Sequence, residues 1–179
     1  MKTKLNLQLF VILLLLISPS ELIFSQENEY TSTKGDSLIQ AALDVIEATR
    51  YCALITADST GEIHVRTMDP FAPENGMVIW FGTNKFSRKV AEIKNNPEVI
   101  MYYANPQGSG YVVISGKAQI IVDAEEISKR WKEEWTQFYP DREKSYILIK
   151  VVPKKMEVIN YPLGIGNESQ TWMVPSFNF

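Results

Sequence analysis

The sequence predicts a mainly β fold with peripheral helices, built as a closed antiparallel barrel of six strands. Three observations point there. Six runs rich in Val, Ile, Tyr, Phe and Trp lie between residues 51 and 159, separated by breaks rich in Gly, Pro and Asn. Most of those breaks are too short to hold a helix, whereas a doubly wound parallel sheet needs a crossover helix after nearly every strand. No Gly-x-Gly-x-x-Gly fingerprint of a dinucleotide-binding unit is present. Closure into a barrel removes the exposed edges that such a sheet would otherwise carry.

The chain of 179 residues has 18 basic and 21 acidic side chains, a formal charge of -3, and is 45% hydrophobic. That is enough apolar material for one core, and the balance argues against a nucleic-acid partner, which calls for a basic excess. Residues 1–25 read as a secretory signal peptide: Lys2 and Lys4, an apolar Leu5–Ile17, a break at Ser18-Pro19-Ser20, and Ser25 before Gln26. The apolar core is shorter than the ~20 residues of a membrane span, so the expectation is cleavage and export, periplasmic or secreted, with no membrane association afterwards. Residues 26–36 are polar and read as a flexible tether, leaving 37–179 as the folded domain.

In order, Ser37–Thr49 has a helical stripe of Leu38, Ala42 and Val45, with Ser37-x-x-Gln40 as a capping box. Tyr51–Ala57 and Glu62–Met68 form a hairpin around Asp58-Ser59-Thr60-Gly61, with Ile63 and Val65 on one face and His64 and Arg66 on the other. Asp69–Gly76 is a loop, held open by Pro70, Pro73 and Gly76. Met77–Phe81 is the third strand, broken by Gly82–Lys85, and Phe86, Val90 and Ile93 then fall at helical spacing until Asn95-Asn96-Pro97 stops the helix. Glu98–Ala104 and Tyr111–Val122 are the fourth and fifth strands, the latter with a bulge or bend expected at Gly116. Asp123 opens a helix with Ile127, Trp131, Trp135 and Phe138 along its apolar side. Tyr146–Ile159 is the last strand, with an edge or bend expected at Pro153.

The third strand and its helix pose a problem of charge. Arg88 and Lys89 occupy the first turn of a helix, where the backbone already presents partial positive charge and unpaired N–H groups. Two cations there call for an anion. With the hydroxyls of Thr83 and Ser87 alongside, a phosphate suits the set, the alternative being a solvated basic turn capped by Ser87.

Thr83-Asn84-x-x-Ser87-Arg88-Lys89, followed by Asn95-Asn96-Pro97, resembles the phosphate-binding segment of the pyridoxamine 5′-phosphate oxidase family, and the general stress protein branch has a similar layout. The likeness runs from about Leu38 to about Ile159. It implies a split β-barrel, a six-stranded Greek-key barrel that binds FMN, and a homodimer with the cofactor at its interface. By this resemblance Ser87, Arg88, Lys89 and Arg66 reach the FMN phosphate, the backbone of Thr67 and Met68 lies by the flavin ring, Gly82 and Thr83 contact FMN, and Tyr111 lies near the pyrimidine edge. The chain departs from the family where Gly82 replaces a tyrosine, Phe71 a lysine and Tyr111 a glutamine. It also has no arginine after Arg142, where the oxidase uses arginines to hold its substrate phosphate. The resemblance therefore implies flavin-mediated electron or hydride transfer without standard pyridoxamine phosphate oxidase activity. Non-catalytic carriage of flavin or haem is a second class of function, and deazaflavin F420 an alternative cofactor. No Ser-His-Asp or Cys-His set can be assembled, so no catalytic residue is assigned. Cys52 reads as a core residue, and the lone His64 predicts no metal site.

Overall fold

Alternation of apolar and polar side chains makes the sheet. In β4 (Glu98–Ala104) Val99, Met101 and Tyr103 are buried while the residues between them are exposed. β5 (Gly110–Ile121) repeats the period with Val112, Ile114 and Ala118 inside. β1 (Cys52–Ala57), β2 (Ile63–Met68), β3 (Ile79–Asn84) and β6 (Tyr146–Asn160) complete the six expected strands. A seventh, β7 (Ser176–Asn178), pairs with β6 and was not expected. Three residues are too few for periodicity to reveal. These elements come from a computed structural model that describes residues 34–179. The expected signal peptide, residues 1–25, and most of the expected tether lie outside the described residues. Among those described, no helix is long and apolar enough to cross a membrane.

All ladders are antiparallel, in the order β2-β1-β4-β5-β6-β3. The two ends of this path meet. Past β2, Pro70 bridges Phe81 of β3, and the Phe71 N–H donates to the Trp80 carbonyl at 2.9 Å. The sheet thereby curls into the expected barrel. The register shift in β5 falls at Ser115/Gly116, where a Cβ on Gly116 would lie 2.4 Å from the Val152 carbonyl oxygen. Pro153 sits opposite, between the stretches of β6 that pair with β3 and with β7.

Helix α1 spans residues 34–47 and presses Leu38, Ala41, Ala42 and Val45 into the core. Because the helix is already under way at residue 34, Ser37 is not its cap. Asn160, at the end of β6, fastens it by donating to the Ala41 carbonyl at 3.1 Å and to Asp44 Oδ2 at 2.8 Å. Helix α2 (Arg88–Asn95) packs Val90 and Ile93 inward, but Phe86 is exposed and the third buried residue is Glu92.

The single helix expected from Asp123 to Phe138 is broken. Asp123 caps α3 (Ala124–Lys129), and the chain then leaves helical geometry at Arg130 before a 3-10 turn over Glu133–Phe138. A short α4 (Arg142–Ser145) leads into β6. Tertiary bonds cause the break. The Arg130 carbonyl accepts from the Tyr146 hydroxyl at 2.6 Å, and its guanidinium stacks 3.6 Å above the Trp80 ring while pairing with Glu74 and Glu126. Lys132 Nζ reaches Asp69 Oδ1 and the Pro70 carbonyl, both at 2.7 Å. Trp131, Trp135, Tyr139 and Tyr146 then close into an edge-to-face cluster over β3.

Candidate functional site: a cleft beside a buried glutamate

β2 places its polar side chains inward. Ile63 and Val65 are 60% and 63% exposed, while His64 and Arg66 turn toward the barrel. Their partner is Glu92, only 2% exposed. Its Oε2 accepts from the Thr56 hydroxyl at 2.5 Å and from Arg66 Nη2 at 2.8 Å. Its Oε1 lies 2.9 Å from Arg88 Nε and 3.6 Å from His64 Nε2. Arg66 also donates to the Thr56 hydroxyl. Burial alone would raise the Glu92 carboxyl; the Thr56 hydroxyl and the Arg66 guanidinium outweigh it and hold the pKa below the ordinary value.

This changes the argument from charge. The anion that Arg66 and Arg88 call for is supplied by the chain itself, four residues along the same helix from Arg88. Lys89 is different. Its ammonium donates to the Thr83 hydroxyl at 3.1 Å, and Thr83 Oγ1 and Ser87 Oγ share a hydrogen bond at 3.2 Å. Burial, and then the like charge of Arg66, push the Lys89 pKa down, with Glu92 offsetting them in part. Ser87 stands at the N-cap of α2 but its side chain makes no cap bond, so it does not close the first-turn N–H groups. An ammonium, two hydroxyls and an open helix N-terminus form a donor set that fits a phosphate-sized anion, and a bound anion would relieve the penalty on the lysine charge.

Beside this cradle lies a cleft of about 490 Å³. Thr67, Met68, Gly82, Thr83 and Lys89 line it, with Trp135, Phe138 and Tyr139 from the segment after α3. Five of the nine expected site residues therefore share one cavity, and Ser87 joins through Thr83. Arg66 and Arg88 stand behind it on Glu92. Tyr111 is not brought there: it is the second residue of β5, opposite Ala104 and Ile159, with its ring 5.9 Å from that of Tyr102. Trp172 is 76% exposed, outside the cleft. A further participant that sequence reasoning missed is Asp69, which takes Lys132 at 2.7 Å and Trp135 Nε1 at 3.1 Å and so hangs the aromatic wall on the β2 side.

Gly82 has a packing role rather than the open approach to a flat ligand expected of it. A Cβ at this position would meet Trp135 at 2.4 Å and the Tyr146 ring at 2.5 Å. Those two rings fill the volume that a side chain at Gly82 would otherwise take. Gly82→Ala should therefore cost about 1–3 kcal/mol in urea unfolding, as overpacked core sites do, and should displace Trp135 from the cleft wall.

Comparison with known proteins agrees with this architecture. The family model described as pyridoxamine 5′-phosphate oxidase like matches residues 38–162. General stress protein 26 of Bacillus subtilis is 29% identical over 125 residues, covering 68% of this chain and 87% of its own. A Clostridium acetobutylicum crystal structure of a protein related to general stress protein 26, in the pyridoxinephosphate oxidase family, superposes with a TM-score of 0.65 at 16% identity, covering 81% of this chain and 96% of that one. An F420 reductase structure gives 0.50 at 22% identity, with 60% and 89% covered. At these identities the structural likenesses establish the fold.

Proposed function

Because the chain belongs to the pyridoxamine 5′-phosphate oxidase-like family, we propose that it is an exported flavin-binding protein that holds FMN in the cleft between β2, β3 and the Trp135 wall. The observation that carries the proposal is the cradle of Lys89, Thr83 and Ser87 at the open N-terminus of α2, with a cavity of suitable size beside it. In this reading Lys89 meets the phosphate charge, the two hydroxyls orient it, and Arg66 and Arg88 add longer-range positive potential from their places on Glu92. Thr67 and Met68 offer backbone to the ring, and Trp135 covers it from water. Bound flavin would supply hydride and single-electron transfer, and the protein's part is to hold and shield it. Deazaflavin F420 shares the phosphate chemistry, and haem, the other planar alternative, lacks it. Titration with FMN, followed by quenching of flavin fluorescence, should saturate at one flavin per chain; absence of saturable binding would overturn the proposal.

A second reading, carriage of flavin without turnover, rests on the state of the cleft's acids. Asp69 is held by Lys132 and Trp135, and Glu134 by Arg50 at 3.1 Å. Both carboxylates are engaged in ion pairs. Reduction of the bound flavin by NADPH with rapid return of electrons to an acceptor marks an oxidoreductase; reduction by strong chemical reductant alone marks a carrier. The lack of arginine after Arg142 argues against pyridoxamine phosphate as the substrate.

The proposal includes a homodimer. Ile63 and Val65 of β2 and Ile100 and Tyr102 of β4 stand exposed on the outer face. Ile55 lies between Val65 and Ile100 in the ladder, which makes the patch continuous across three strands. An apolar sheet face of this kind suits a second copy of the chain. Val65→Asp should convert a dimer into a monomer in light scattering, with the fold unchanged by circular dichroism.

A further inference from the structure

The β1–β2 hairpin holds a second group of polar side chains, outside the cleft. Asp58 and Glu62 flank its turn, and His64 follows on β2. Each offers one donor atom, and the three atoms lie within 4.8 Å of one another. The outer shell is already ordered: Asp58 Oδ1 accepts from the Thr60 N–H at 2.8 Å, the Thr60 hydroxyl at 2.7 Å and the Glu62 N–H at 3.0 Å. That fixes the carboxylate so that Oδ2 faces His64 Nε2 at 3.6 Å.

A second observation comes from below the hairpin. Buried Glu92 aims Oε1 at the same imidazole nitrogen, also at 3.6 Å, and this oxygen accepts no hydrogen bond although Arg88 is its charge partner. His64 Nε2 therefore stands between two carboxylates, with Glu62 nearby. Asp58, Glu62 and Glu92 bring three carboxylates around this imidazole, and the guanidinium groups of Arg66 and Arg88 both pair with Glu92, the buried member of the three.

We propose that Asp58, Glu62 and His64 bind a divalent transition-metal ion of the zinc class, with Glu92 as the buried anion beneath it. One imidazole nitrogen and two carboxylates form a donor set that suits zinc or copper better than calcium or magnesium, which prefer all-oxygen shells. Glu62 is exposed and can swing onto the ion, and water completes a four-coordinate shell. This proposal departs from the expectation of no metal site, which rested on a lone histidine, because the hairpin turn folds two carboxylates back onto that histidine.

The test uses the full mature chain, stripped with chelator and titrated with zinc chloride alone by calorimetry. Cobalt substitution then reads the coordination from its visible spectrum. One saturable site per chain is expected. His64→Ala should remove it, and Asp58→Asn should weaken it strongly. Thr60→Val, which touches only the outer shell, should weaken it by about 10–100-fold. Glu157→Gln, at a half-buried acid on β6, should leave it unchanged. If wild type shows no saturable zinc site, the proposal fails. It also fails if His64→Ala and Thr60→Val bind zinc as wild type does. FMN titration of the same samples separates the two sites, since Lys89→Glu should leave zinc binding intact.

Discussion

Glu92→Ala should lose about 3–5 kcal/mol of folding stability, the cost of removing one partner from a buried ion pair. The carboxylate is the common partner of Thr56, Arg66, Arg88 and His64. Without it, Arg66 is left in a largely buried position with only the Thr56 hydroxyl. Most of the loss should come from Arg66, because the Arg88 side chain is 68% exposed and can turn to water. The double variant Glu92→Leu with Arg66→Met should recover part of the loss, since matched apolar replacements avoid a stranded charge. Urea denaturation of the three proteins measures this. A Glu92→Ala variant as stable as wild type would mean that the network does not organise α2 against the barrel.

Lys89→Glu should weaken FMN binding by more than the tenfold to hundredfold expected from loss of one charge-assisted hydrogen bond, about 1.5–3 kcal/mol. The substitution removes the ammonium that reaches Thr83 and puts a carboxylate where the phosphate would sit. Arg66→Ala and Arg88→Ala should have smaller direct effects on phosphate affinity, because both guanidinium groups are already engaged by Glu92. That ranking separates this account from one in which all three cations clasp the ligand equally. Fluorescence titration with FMN measures each variant.

Much of the barrel was legible in the residues. Val99, Met101 and Tyr103 alternate with polar neighbours, and two-residue periodicity has few other readings. Gly116 and Pro153 announced the irregularity that the register shift and the gap between β3 and β7 realise. The grouping of Thr83, Ser87 and Lys89 was legible from a strand before and a helix after. What it lacked was the internal anion. Glu92 on a short basic helix reads as solvent-facing, and its burial depends on three cationic or hydroxyl partners delivered by β1 and β2. The Arg88–Glu92 spacing of one helical turn, and the inward pairing of His64 with Arg66, were the signals available. The break at Arg130 was not legible. Its causes, the Tyr146 hydroxyl and the Trp80 ring, are supplied by strands that meet only in the folded barrel.

The most direct measurement is the affinity of the wild-type protein for FMN against riboflavin, which differ by the phosphate alone. If Lys89, Thr83 and Ser87 form a phosphate cradle, FMN should bind at least about a hundredfold more tightly, as two charge-assisted hydrogen bonds would require. In Lys89→Glu that preference should collapse. Equal affinity of wild type for the two flavins would contradict the account, and the cleft would then be a cavity with some other occupant.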